Sequence, residues 1–205
     1  MWIYKGAGHM SKIFCLTGKS GSGKDTVFNE LIKRDIPLLK RVVTHTTRPM
    51  RAGETEGVEY HFTDEKTLAE LEGSGKIIEK REYNTQKGLW IYFTCASEID
   101  MSSGCDYIMI GTPDVAEKLF ECFGEDVVVV IYLELDDRER LLRCINRESQ
   151  QKCPDYSEVC RRYLADEADF KPERLKKYKQ MHVVNSQRTI EENADDCAGV
   201  ILKYR

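Results

Sequence analysis

The segment GKSGSGKDT at residues 18–26 follows the apolar run Ile13, Phe14, Cys15 and Leu16 and precedes a helix-like run from Val27 to Ile32. This is the G-x-x-x-x-G-K pattern in a strand–loop–helix setting. Gly18, Gly21 and Gly23 let the backbone N–H groups converge on an anion. The following helix adds the positive end of its dipole. The expected ligand is therefore the polyphosphate of a nucleoside triphosphate, bound by Gly18, Ser20, Gly21, Ser22, Gly23, Lys24, Asp25 and Thr26. Lys24 is the charge expected to reach the terminal phosphates. The residue after the lysine is commonly Ser or Thr, which helps hold Mg²⁺. Here it is Asp25, expected to hold Mg²⁺ through water or to serve only as an acidic residue at a helix start.

Five short stretches rich in Val, Ile or aromatics predict buried strands at 12–17, 40–44, 106–111, 127–134 and 181–185. Helix-like segments separate them. The alternation predicts an α/β fold: a three-layer α/β/α unit around a five-stranded parallel sheet, with the glycine loop at the carboxyl end of the first strand. The chain of 205 residues carries 41% apolar and 32% charged residues, as a single soluble domain does. Its net charge of -4 argues against a nucleic-acid partner. The longest apolar run, 127–133, is far below the roughly 20 residues of a membrane span. The eight cysteines form no C-x-x-C pair, which argues against zinc and for a reduced, cytoplasmic chain. Residues 1–9, ending GAGH, are expected to be an expression remnant outside the fold.

Two excursions interrupt the core. The first, 45–94, is polar and glycine-containing, and Arg48 and Arg51 flank Pro49 within it. Pro disfavours helix at the preceding residue, so the two guanidinium forks are expected on a loop, suited to phosphate oxygens. Thr44 and Tyr60 could add hydroxyls. The second, 136–170, is dense in Arg, Asp and Glu. Helical spacing puts Arg140, Arg143 and Arg147 on one face and Leu141, Leu142 and Ile145 on the opposite one. Asp136 or Asp137 is expected to cap that helix, and Asp155 with Glu158 to open the next, which carries Arg161 and Arg162. His45, His61 and His182 fall at no ligand or catalytic spacing.

Thr44, Thr46, Thr47, Arg48, Arg51, Gly53, Glu54, Gly57, Tyr60 and Phe62 together keep the spacing of one run, and with the upstream loop the chain resembles the guanylate kinase family. The resemblance is tight to residue 62 and looser to about 190. It implies one domain over 10–205: a core (10–44, 95–135, 167–205), an inserted nucleoside-monophosphate-binding subdomain (45–94) and a helical lid (136–166). It also implies that Thr44, Arg48, Arg51 and Tyr60 grip the monophosphate. Glu79, after Ile77 and Ile78, matches the glutamate that reads guanine, and Tyr92 and Thr94 match a nearby segment. Asn185 matches a position that contacts adenine. Lid arginines are implied in both helices: Arg143 and Arg147 in the first, Arg161 or Arg162 in the second.

Two departures bear on specificity. Phe93 replaces a glycine, and Asn84 and Gln86 lengthen the approach to it. The acidic residues expected near 110–112 are replaced by Ile110, Gly111 and Thr112. The implied activity is Mg²⁺-dependent phosphoryl transfer from ATP to GMP, with Lys24, Arg48 and the lid arginines around the transferred group. One alternative is another (deoxy)nucleoside monophosphate as acceptor. The other is an inactive binding module, against which Lys24 and the intact glycines argue.

Overall fold

A computed structural model describes residues 10–51, 53–85 and 88–205. The expected remnant 1–9 and Gln86 lie outside the described residues. In chain order the elements are β1 (Ile13–Thr17), α1 (Lys24–Lys33), β2 (Leu39–Arg41), β3 (His45–Thr46), β4 (His61–Phe62), α2 (Glu65–Gly73), β5 (Ile77–Thr85), β6 (Gly88–Cys95), β7 (Asp106–Ile110), α3 (Pro113–Phe123), β8 (Val128–Glu134), α4 (Asp137–Ser149), α5 (Tyr156–Asp169), α6 (Pro172–Leu175), β9 (Met181–Asn185) and α7 (Ile190–Leu202). A single 3-10 turn, Ala96–Glu98, follows β6.

The continuous apolar run of β1 is explained by its place. It is the middle strand of a five-stranded sheet ordered β2-β7-β1-β8-β9, parallel throughout. Both faces of such a sheet are covered, so successive side chains are all buried. Ile13 and Cys15 pack with Val115 and Leu119 of α3 on one side. Phe14 and Leu16 pack with Val27, Phe28 and Leu31 of α1 and with Cys197 and Ile201 of α7 on the other. This is the expected three-layer α/β/α core.

The strand expected over 40–44 is shorter in the structure. Val42 N–H still donates to the Ile108 carbonyl at 2.9 Å, but the chain then leaves the core. His45 and Thr46 pair instead with β4 and β6 in a second sheet, ordered β4-β3-β6-β5. That sheet was not legible as such within the 45–94 excursion. Alternate residues Ile91, Phe93 and Cys95 of β6 form its own small core with Leu68 of α2. The Asp64 side chain caps α2 by accepting from Thr67 N–H.

The α4 helix corrects the expected amphipathic pattern. Leu142 and Ile145 are exposed, while Arg140 is 1% exposed and Cys144 is buried. Arg140 is buried because three carboxylates surround it: Asp137 at 2.6 Å, Asp166 at 3.5 Å and, closest, Glu167. Its guanidinium also lies 3.8 Å from the Tyr163 ring centroid. The expected caps are present: Asp136 accepts from Arg138 and Glu139 N–H, and Asp155 from Glu158 N–H. Among the described residues no helix is long and apolar enough to cross a membrane, and Cys15, Cys95, Cys105, Cys144 and Cys197 are buried free thiols.

Candidate active site

At the carboxyl end of β1 the chain turns through Gly21 (φ 85°) and Gly23 (φ 86°) into α1. These are left-handed conformations that L side chains rarely adopt. At Gly21 a Cβ would also lie 2.5 Å from the Arg140 carbonyl oxygen. The glycine loop therefore closes against α4, and only glycine allows it. Further ties hold it there. Ser20 N–H donates to Asp166 at 2.8 Å, Lys19 Nζ meets Glu167 at 2.6 Å, and the Ser186 hydroxyl donates to the Ser22 carbonyl. Arg140 organises the same Asp166 and Glu167, so it braces the loop from behind. Arg143 and Arg147 follow it on the same helix, but Arg140 is buried and committed to these carboxylates.

Lys24 opens α1 with Nζ 3.4 Å from Asp25, whose carboxylate is 74% exposed. The loop residues Gly18 and Ser20 to Thr26 line one cleft of about 1610 Å³. That exceeds the roughly 300–1,000 Å³ of a single small-ligand pocket. Thr44, Arg51, Tyr60 and Tyr92 line the same cleft, as do Arg143, Arg147, Arg161 and Arg162. Arg143 reaches the nest: its Nη1 lies 3.8 Å from where a Cβ on Gly23 would stand. Glu158 receives both Arg161 and Arg162 at 2.7 Å, and those bonds, Arg161's first, hold its carboxyl down at about 2. Arg161 makes two bonds to Glu158 and Arg162 one, and both side chains stay more than half exposed.

Arg48 is placed differently. It is 2% exposed and forms a two-pronged bond to Glu54, at 2.7 and 3.0 Å. Its guanidinium lies 5.3 Å from the Tyr60 ring and 5.6 Å from the Phe62 ring. It is not on the cleft wall. It backs Tyr60, while Arg51 stands at the cleft over Trp90, 5.9 Å from the ring. Asn185 is also off the wall, its Oδ1 accepting from Gln187 N–H at 3.0 Å in a turn.

Glu79, Thr94, Arg81 and Tyr92 share one face of the second sheet, since Glu79 pairs with Thr94 and Arg81 with Tyr92. Tyr92 and Arg81 line the cleft. Glu79 lies deeper, 6% exposed, accepting from Thr94 Oγ1 at 2.8 Å and Arg81 Nε at 3.1 Å. The lost acidic residues have a structural counterpart. At Gly111 a Cβ would lie 2.6 Å from Cys15 Sγ, and Thr112 Oγ1 is buried without a partner.

Sequence reasoning did not single out Arg41, Arg81, Trp90 or Arg188, all on the cleft. Arg81 had a signal: it stands two residues after Glu79, the spacing that puts both on one strand face. His45 and His61, assigned no ligand spacing, are brought side by side on the opposite face, that of Phe93. Burial first, then His61, pushes His45 down to about 4.

A glycine nest between a central parallel strand and a helix that begins at Lys24 defines a P-loop α/β protein. The chain matches the profile of the guanylate kinase family over residues 10–103. It is 30% identical to a guanylate kinase of Methylobacillus flagellatus over 75% of this chain and 71% of that one. It is 29% identical to one of Sphingopyxis alaskensis over 68% of this chain, which spans 63% of that relative's own length. The crystal structure of guanylate kinase from Anaplasma phagocytophilum has the same fold, with a TM-score of 0.64, 22% identity, and 95% and 86% of the two chains covered. The chain belongs to the guanylate kinase family.

Proposed function

We propose that the protein transfers the terminal phosphoryl group of ATP to GMP, giving ADP and GDP. The observation that carries this reading is one cleft with a phosphate nest on one side and Thr44, Arg51, Tyr60 and Tyr92 on the other. ATP lies with its phosphates on the Gly18–Thr26 loop and Lys24, and the monophosphate lies against the opposite residues. Residues 45–94 act as the acceptor-binding subdomain and 136–166 as a lid that brings Arg143, Arg147, Arg161 and Arg162 to the transferred group. Positioning and charge neutralisation supply the catalysis, since the acceptor phosphate is already an anionic nucleophile. Closure excludes water as a competing acceptor. Arg48 supports Tyr60 from behind in this conformation and reaches phosphate only if Glu54 releases it.

Mg²⁺ fits the oxygen donors at the start of α1. The exposed Asp25 carboxylate and the Thr26 hydroxyl suit a hard cation that keeps its waters. When bound it would neutralise phosphate charge. A cytoplasmic setting, with nucleotides rather than nucleic acid or membrane as partners, accords with this chemistry.

A second reading keeps the reaction and changes the acceptor base. The Arg81 bond to Glu79 and the bare Gly111 favour it, because both alter the carboxylates available to a purine edge. An inactive binding module is disfavoured by Lys24 and the intact nest. Initial rates of ADP formation from ATP and Mg²⁺, with GMP, dGMP, AMP, CMP, UMP and dTMP separately, decide among the three. Turnover confined to GMP and dGMP supports the first reading. Turnover with another acceptor supports the second. No turnover by folded, ATP-binding protein contradicts both.

A further inference from the structure

We propose that His45, His61 and Glu98 bind a divalent transition metal of the zinc type, on the face of the second sheet turned away from the nucleotide cleft. Their ligand atoms all lie within 4.8 Å of one another, the one such group of three among the described residues. His45 and His61 are direct partners in the parallel β3–β4 pair, with ring centroids 4.7 Å apart. The turn Ala96–Glu98 brings Glu98 Oε2 to 3.7 Å from His61 Nε2.

The surroundings prepare these ligands. His61 Nδ1 lies 2.9 Å from Glu56 Oε1, so a proton on Nδ1 leaves the Nε2 lone pair free for a metal. A carboxylate behind a histidine in this way fixes its tautomer and raises its basicity. Glu56 is itself held, its other oxygen accepting from Phe62 N–H at 2.9 Å. The His45 ring is stacked on Phe93, 5.1 Å between centroids and 25° between planes, which sets its plane. His45 Nδ1 is buried without a hydrogen-bond partner. A buried polar atom left in that state costs free energy that a ligand would recover.

Two imidazoles and one carboxylate form a donor set for zinc with a fourth position left to water. Calcium and magnesium prefer oxygen alone. Metal–ligand bonds of about 2.0–2.1 Å place tetrahedral ligands roughly 3.4 Å apart. Separations of at most 4.8 Å close to that spacing with movements of about 1 Å by each ligand atom. His45, His61, Glu56 and Glu98 do not line the nucleotide cleft, so this site is separate from the proposed phosphoryl transfer. The metal would join β3 and β4 to the turn through which the second sheet returns to the core, and so brace that return.

The test is titration of the EDTA-treated full chain with Co²⁺, followed by competition with Zn²⁺. Visible d–d absorption reports tetrahedral geometry, and the near-ultraviolet thiolate band reports binding by any of the eight cysteines. The proposal predicts one equivalent of tetrahedral Co²⁺ without a thiolate band, displaced by Zn²⁺ and not by Mg²⁺. Glu98→Gln and His45→Phe, the latter keeping the stack on Phe93, should weaken binding at least tenfold. Glu56→Gln should weaken it about 10- to 100-fold through His61. Folding of each variant is checked by its thermal transition in EDTA, and three variants allow one to fail. Absence of a stoichiometric metal, a thiolate band, or affinity unchanged in the folded variants overturns the proposal.

Discussion

Arg81 Nε stands 3.1 Å from Glu79 Oε2 on the same face of β5, and Thr94 Oγ1 holds the other Glu79 oxygen at 2.8 Å. The carboxylate expected to accept from the N1–H and N2–H₂ edge of guanine is thus already occupied on both oxygens. A guanidinium can instead donate to the O6 and N7 of guanine, with about 1–3 kcal/mol of discrimination for a good two-pronged pair. Arg81 is therefore expected to move from Glu79 to the base as GMP enters. Arg81→Ala should raise KM for GMP about tenfold, with kcat changed little. Glu79→Gln should shrink the preference for GMP over its 2-deamino analogue. Steady-state kinetics on both substrates check this, and an unchanged KM in Arg81→Ala would remove Arg81 from base recognition.

Arg140 and Arg143 lie less than one helical turn apart on α4 and should respond differently to substitution. Arg140 is buried among Asp137, Asp166 and Glu167 behind the glycine loop. Two of those carboxylates are 49% and 41% exposed, so the loss on Arg140→Met is discounted from the figure for a fully buried pair to about 1–3 kcal/mol. Denaturant unfolding measures it. Arg143→Met should leave stability within about 0.5 kcal/mol and lower kcat. The reverse pattern would show that the brace has been assigned to the wrong arginine.

This helix also marks where sequence and structure part. The nest was legible because its signal is local: glycines and Lys24 at fixed spacing beside an apolar strand. The buried face of α4 was not, because what buries Arg140 comes from Asp166 and Glu167, more than 25 residues away. The second sheet escaped for a similar reason. β3 and β4 have two residues each, too few for a periodic signal, and are held by pairing with one another and with β6. Arg48 was correctly placed in a loop with Arg51. Its partner Glu54, six residues on, turns it away from the cleft.

Glu158 gives a pH dependence with a definite sign. Its folded carboxyl is held at about 2 by Arg161 and Arg162, against an ordinary 4.5. The unfolded chain takes up the proton first as pH falls. The contribution is complete above about pH 4.5 and is lost between there and about 2. Glu158→Gln should flatten that part of the thermal-stability profile against pH. An acid limb identical to the parent's would mean that solvent screens the pair entirely.

Lys24→Met removes the charge at the start of α1 without disturbing the nest. It should lower kcat at least about a hundredfold, or roughly 2.7 kcal/mol of barrier, while thermal stability changes little. Single-turnover kinetics with saturating ATP check this. A loss confined to KM for ATP would assign Lys24 to ground-state binding alone.

The most direct measurement follows the label from γ-³²P-ATP in the presence of Mg²⁺ and GMP. Phosphoryl transfer across the cleft predicts labelled GDP appearing at the rate at which ADP forms, dependent on Lys24 and Arg51. Label released only as inorganic phosphate, or retained entirely in ATP by folded protein, would contradict it.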